Sequence, residues 1–389
     1  MEHRFPATGT ESNMTNHLHS RCHQPASATR VPTVTRISRL LLPALVLAAL
    51  TGSTALPLEP ATPASAAQPP AWTRPAALRP GDTIAFVAPA GPADAEKVAK
   101  AKERFEKMGF KVSVPPSLTT RKNRYLAGTD EERAAELNAA FKDKGSQAVF
   151  AVKGGYGLTR ILHLIDYEAI RNNPKVVLGF SDLTGLHLAI AKKCRLVTFH
   201  GPMPQYGLYR DDAGFGYSSD VFWRTVSADK YPKGDSGYTV PLPTDGPKPR
   251  KLVGGKAKGR LVGGNLTLIG ATMGTPYEIE ADGNILFLED TGEKAYRIDR
   301  VLSQLRLSGH LDRFAGVILG TFDGADEVEL DAVFRDYFAG RKVPVVTNFP
   351  VGHTPFNATL PHGGLVELDA DAGTVKVLEA PVTLGARKP

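Results

Sequence analysis

The sequence predicts an α/β protein: a parallel sheet with helices on both faces, followed by a smaller β-rich domain. Three observations carry this expectation. Between residues 83 and 199, short apolar runs alternate with segments of helical length whose apolar residues recur every three or four positions. From Tyr231 to Gly259 the pattern breaks, with five prolines, six glycines and several lysines. Beyond that break, strand-like runs outnumber helical ones. Strands joined by helical crossovers pair in parallel, and the crossovers cover both faces of the sheet.

The 389-residue chain opens on a segment set apart from the fold. Arg30, Arg36 and Arg39 precede an apolar run of eleven residues, Leu40 to Leu50, and Ala64-Ser65-Ala66 offers a small-residue cleavage site. Charge, apolar core and small residues in that order describe a secretory signal peptide. The apolar run is too short for a permanent membrane span. Residues 1–66 are therefore expected to be signal peptide and leader, and the protein to be exported, extracellular or wall-associated. Residues 67–77, rich in Pro and Ala, read as a tether. An N-terminal domain is expected over 78–235, a linker over 236–258 and a C-terminal domain over 259–389.

In the N-terminal domain the first strand, 83–89, is an apolar run ended by prolines. The helix over 93–108 presents Ala95, Val98, Ala99, Ala101, Phe105 and Met108 at a spacing of three or four. A short strand follows at 111–114. Thr129 with Glu132 makes a capping-box start for a helix reaching 141. The strand 148–152 runs into Gly154-Gly155-Tyr156-Gly157, and a helix follows over 158–165. The strand 175–178 leads to Ser181 and a helix over 182–193. The strand 196–199 ends in His200-Gly201-Pro202. In the C-terminal domain strands are expected at 259–262, 284–288, 316–319, 343–347, 364–368 and 374–378, and helices at 265–273, 295–308 and 330–338.

The full chain carries a net charge of +7, and removing the leader leaves +5 without any dense basic block. That does not suggest a nucleic-acid partner and suits work near an anionic wall. Of the two cysteines, Cys22 lies in the leader, so Cys194 alone remains and no internal disulfide can form. His17, His19, Cys22 and His23 are metal-ligand types, but they too lie in the leader. No metal and no cofactor are expected.

The stretch Val176-Val177-Leu178-Gly179-Phe180-Ser181-Asp182 is a buried-looking strand that breaks at a glycine and reaches a serine at the mouth of a helix. Such a turn exposes a hydroxyl above a sheet edge, with the amides of the next helix beside it. A plain helix cap fits the same residues. An activated serine needs a base and an acid that orients the base. His353, after a strand and the turn Pro350-Val351-Gly352, is one candidate base, and His200 at another strand end is the rival. Glu289 and Asp290 end the apolar run Ile285-Leu286-Phe287-Leu288, where a carboxylate must find a donor. Ser227-Ala228-Asp229-Lys230 fits S-x-x-K without the K-T-G that should accompany it. Neither Gly154-Gly155-Tyr156-Gly157 nor Val262-Gly263-Gly264-Asn265 matches a nucleotide loop.

Taken together these segments resemble one family. Lys153-Gly154-Gly155-Tyr156-Gly157 with Arg160, then Gly179-Phe180-Ser181-Asp182-Leu183-Thr184, then His200-Gly201-Pro202-Met203 look like the first half of the serine LD-carboxypeptidases. That family takes in the muramoyltetrapeptide carboxypeptidases and the microcin-immunity peptidases. Gly263-Gly264-Asn265-Leu266, the run from Ile285 to Arg300 and Pro350-Val351-Gly352-His353 resemble the second half. The resemblance spans roughly residues 78 to 382.

It implies a flavodoxin-like N-terminal sheet bearing Ser181, and a smaller domain supplying Glu289 and His353 to a Ser–His–Glu triad. An oxyanion hole would use the backbone of Asp182 and of Gly154 and Gly155. The implied substrate is a peptidoglycan tetrapeptide stem losing its terminal D-alanine, with Arg160 and Asn265 as candidate anchors for the free carboxylate. A homodimer is left open. Two other functions fit the scaffold: a microcin-immunity-type hydrolase of aminoacyl-nucleotides or related amides, and a non-catalytic wall-binding protein. Export counts against the first, and the presence of Ser, Glu and His at all three positions counts against the second. Pro232 to Pro249 is an elaborated segment expected to shape the rim of the cleft.

Overall fold

The computed structural model describes residues 71–212, 214–232 and 236–385. The expected signal peptide and the start of the tether lie outside those residues.

The first half alternates strands and helices: β1 (Thr83–Val87), α1 (Ala95–Lys107), β2 (Lys111–Ser113), α2 (Asp130–Lys142), β3 (Ala148–Ala151), α3 (Tyr167–Asn172), β4 (Val176–Gly179), α4 (Thr184–Cys194), β5 (Thr198–His200) and α5 (Phe215–Val226). The strands pair in parallel in the order β2-β1-β3-β4-β5, the flavodoxin-like arrangement. Side chains alternate across the sheet. Phe86, Phe150 and Leu178 pack with α1 and α5, while Val87, Val149 and Val177 pack with α2, α3 and α4. Helices therefore cover both faces.

The second half contains β6 (Ser236–Thr239), β7 (Arg250–Val253), β8 (Lys256–Asn265), α6 (Leu266–Thr272), β9 (Ile285–Thr291), α7 (Ala295–Leu307), β10 (Gly316–Asp323), α8 (Glu327–Phe338), β11 (Val345–Thr347), β12 (Leu360–His362), β13 (Leu365–Asp369) and β14 (Thr374–Glu379). Eight of these strands form a mixed sheet ordered β6-β14-β13-β8-β9-β10-β11-β7. Its central strands β8 to β11 are parallel, and α6, α7 and α8 pack on one face through Ile269, Leu302 and Phe338. Among the described residues no helix is long and apolar enough to cross a membrane.

Four expectations are corrected. The segment 236–258 is not a bare linker, because β6 and β7 supply both outer strands of the second sheet. Outer strands pair on one side only, so they tolerate the polar, proline-flanked sequence that concealed them. The end of the tether is also tied down: Thr73 bridges Leu196, Ala76 bridges Thr383 and Leu78 bridges Ser227. The helix expected over 158–165 is two short 3-10 turns, since the chain turns extended at Ile165 and Asp166 caps a new helix. Finally, β12 leaves the second half and pairs antiparallel with β5, completing the first sheet.

Candidate active site

The serine turn is strained. Phe180 is extended, and Ser181 then adopts φ of 63°, a left-handed conformation that costs a serine on the order of 1–3 kcal/mol. A 3-10 turn over Ser181–Leu183 carries the chain into α4, with the Leu183 N–H donating to Phe180 O at 3.3 Å. Gly154, on the loop after β3, walls the serine from the side. A Cβ there would stand 3.1 Å from Ser181 Cβ, 3.3 Å from its Oγ and 3.5 Å from the Asp182 nitrogen. A side chain there would crowd the serine, so glycine suits the close approach of the two loops.

Asp182 lies beneath the turn. Its Oδ2 accepts from the Leu158 N–H at 2.8 Å, so it joins the serine turn to the glycine loop. Burial pushes its carboxyl up to about 7, against the opposing pull of the Leu158 amide and of Arg133. Arg133, in α2, is fully buried. It donates to Pro89 O, to Gly157 O at 2.9 Å and to Asp130, fixing both ends of the glycine loop's surroundings. Sequence reasoning missed Arg133, for an arginine in a capped, charged helix gives no sign that it faces inward.

The second half delivers an acid and an imidazole. Glu289 stands in β9 opposite Asn265 of β8, and His353 follows β11 on a loop. His353 Nδ1 donates to Glu289 Oε2 at 2.6 Å. That bond fixes the tautomer and leaves Nε2 as the available acceptor. The Phe180 ring lies 4.8 Å from the imidazole, which seats His353 against the residue preceding Ser181. Tyr206 adds a second support: its hydroxyl donates to His353 O at 3.2 Å and its ring lies 5.3 Å from Phe180.

Burial opposes protonation of His353, yet Glu289, then Asp290 and Asp323, outweigh it and raise the imidazole above its ordinary value. Burial likewise raises the Glu289 carboxyl, with His353 pulling it back. Asp290 orders the neighbourhood through Asn265 Nδ2 at 2.8 Å and the Thr267 N–H at 2.9 Å.

The other sequence candidates fall elsewhere. Arg160 is bound bidentately by Asp130, through Nε at 2.9 Å and Nη2 at 2.8 Å. Asn265 caps α6 through the Leu268 N–H, holds Asp290, and accepts no free role at the surface because it is buried. The two proposed carboxylate anchors are thus occupied within the protein. His200 is fully buried, between Phe180 and Phe287 and near His187, and desolvation holds it neutral. Cys194 is buried, its thiol pushed up to about 11 by that burial. Among the described residues no group of three or more His, Cys, Asp or Glu is arranged to hold a metal.

Residues 84–201 match the LD-carboxypeptidase N-terminal domain, and residues 258–368 match the LD-carboxypeptidase C-terminal domain, in that order. The chain belongs to the LD-carboxypeptidase family. A probable murein peptide carboxypeptidase of Bacillus subtilis is 38% identical over 322 residues, covering 81% of this chain and 97% of that protein. Among solved structures, MccF in complex with glutamyl sulfamoyl guanosine aligns with TM-score 0.74 at 26% identity, over 80% of this chain and 99% of that one. The muramoyltetrapeptide carboxypeptidase of Oxalobacter formigenes aligns with TM-score 0.64 at 30% identity, over 76% and 97%. Ser181 falls within the LD-carboxypeptidase N-terminal match, and Glu289 and His353 within the C-terminal one. Residues 202–257, with α5, β6 and β7, are covered by neither match.

Proposed function

We propose that this chain is an exported serine LD-carboxypeptidase that removes the terminal D-alanine from peptidoglycan tetrapeptide stems. The observation that carries the reading is the 2.6 Å bond from His353 to Glu289, held against Phe180 beside the strained Ser181 turn. In this reading His353 Nε2 takes the Ser181 hydroxyl proton as Oγ attacks the carbonyl of the residue before D-alanine. The tetrahedral oxyanion is met by the Asp182 N–H and by the Gly154–Gly155 backbone, each such donor supplying about 3 kcal/mol. His353 then passes the proton to the leaving amine, and water hydrolyses the acyl-enzyme by the same route in reverse. Glu289 keeps Nδ1 protonated and stabilises the imidazolium.

The names of relatives support the substrate class, and the leader sequence supports export. The deciding experiment incubates the purified protein with disaccharide-tetrapeptide and measures free D-alanine. Wild type should release it, while Ser181→Ala and His353→Ala should fall to background. Equal release by wild type and Ser181→Ala would sink the mechanism.

The higher TM-score to MccF than to the muramoyltetrapeptide enzyme favours one second reading, hydrolysis of an aminoacyl-nucleotide amide by the same triad. Release of amino acid from such a nucleotide, with none from the tetrapeptide, would select it.

A further inference from the structure

Three histidines that the proposed chemistry does not use lie together: His187 on α4, His200 at the end of β5 and His362 at the end of β12. All three are fully buried. The His187 ring lies 5.9 Å from that of His362 and 6.4 Å from that of His200. Phe287 of β9 covers the group, 5.0 Å from the His200 ring and 6.3 Å from the His362 ring.

Each ring is placed for its neutral form. His187 Nε2 faces Gly179 O at 2.8 Å and must donate to it, so Nδ1 accepts from the Thr198 hydroxyl at 2.8 Å. Neither ring nitrogen of His200, and neither of His362, has a hydrogen-bond partner among the described residues. A second proton on either ring would bury a charge with no acceptor to meet it. Nothing nearby offsets such a charge. The titratable groups around His200 are His187, His362 and His353, and around His362 it is His187. Phe180 of the serine turn and Phe287 of β9 bring only rings. Glu289, on the same strand as Phe287, is bound to His353. Burial holds all three histidines below the ordinary imidazole value.

The seam they line is short. β12 pairs with β5 through Leu360 with His200, Pro361 with Phe199 and His362 with Thr198, and its central proline has no N–H to give. The loop that carries His353 leads into β12. We propose that the three histidines form an acid-operated latch: as they take up protons, β12 parts from β5 and the His353 loop loses its far anchor, while both sheets stay folded. The direction follows from linkage. Exposed histidines titrate near 6.5, so the closed seam is favoured above that value and is lost as pH falls toward the buried one, about 4 for His187. With two to three protons taken up, the opening constant should rise about 100- to 1,000-fold per pH unit within that window. The effect on catalysis rests on the carboxypeptidase reading above, but the opening itself does not.

The test follows opening and reaction separately. Hydrogen exchange of the full-length protein, corrected for the intrinsic pH dependence of amide exchange, is measured by mass spectrometry from pH 7.5 to 4.5. Between pH 6.5 and 5, peptides spanning β5 and β12 should lose at least about 100-fold more protection than those of β1, β3 and β9. His362→Leu and His200→Leu should each reduce that change about ten-fold, and the double variant about 100-fold. Gln at the same positions, equally unable to take up the proton, replaces Leu where Leu does not fold. Equal loss of protection throughout the chain, no loss at the seam, or an unchanged loss in the double variant overturns the latch. D-alanine release from disaccharide-tetrapeptide is followed in parallel. In wild type log kcat/KM should fall in acid with a slope above one and recover at pH 7.5, whereas the double variant should keep the slope of one set by His353. A seam that opens in a protein with no release at any pH overturns the carboxypeptidase reading and leaves the latch standing. Release with a slope of one and no opening does the reverse.

Discussion

His353 is the residue through which solution pH reaches the proposed chemistry. Its neutral form is the base, and Glu289, Asp290 and Asp323 together raise it above the ordinary imidazole value of about 6.5. The rate should therefore rise with pH through a midpoint above that value. Glu289→Gln removes the nearest carboxylate, so the same limb should move to lower pH while kcat falls by about 10³- to 10⁴-fold, as loss of an orienting acid does elsewhere. A pH profile of kcat/KM on both proteins checks this, and an unmoved limb in Glu289→Gln would count against His353 as the titrating base.

Asp182 titrates nearby and needs its own control. Its folded carboxyl is raised to about 7 from an ordinary 3.8, so the folded state favours the proton. The associated stability is present below the unfolded value and lost as pH rises through about 7, by of order 4 kcal/mol. Asp182→Asn should flatten that loss in denaturant titrations run from pH 4 to 8, and should leave the His353 limb in place.

Individual elements show what a sequence can reveal about such a site. The serine turn, the glycine loop and the carboxyl end of β9 were readable because each joins a long apolar strand to residues with restricted backbone or charge. Buried supports were not readable. Arg133 sits among acidic residues on a capped helix, and only the close approach of two loops turns it inward. The α5 helix opens on Gly214 with no side-chain cap, and its aromatic and β-branched residues suit a strand equally well. β6 and β7 were hidden for the opposite reason, being short and polar within a proline-rich stretch. Arg133→Leu should destabilise the protein by about 3 kcal/mol, because it strands the buried Pro89 and Gly157 carbonyls. Urea unfolding measures that loss. Gly264→Ala tests the contact between the halves: Gly264 has φ of 132°, and a Cβ there would fall 2.4 Å from Thr184 Oγ1. It should cost a few kcal/mol in the same assay.

At the scale of the molecule, the two family segments are not independent. β12 lies in the first sheet although the second half encodes it, and residues 73–78 bridge to Leu196, Ser227 and Thr383. Unfolding should consequently be a single transition. Trp223 is buried in the first half's core, whereas Trp72 is half-buried beside Arg195 and Arg260 of β8, so fluorescence of a Trp72→Phe protein follows the first half and far-UV circular dichroism follows both. The two signals should coincide on heating, and separated midpoints would show that the halves melt apart. The pairing of β12 with β5 also bears on how the protein is made. Until residue 362 has emerged from the ribosome, β5 exposes unpaired backbone along one edge, and His353 has only one of the two sheets that flank its loop to anchor it. In the proposed mechanism the nascent chain thus acquires Ser181 before it can fix His353, and should stay chemically silent until β12 has paired with β5.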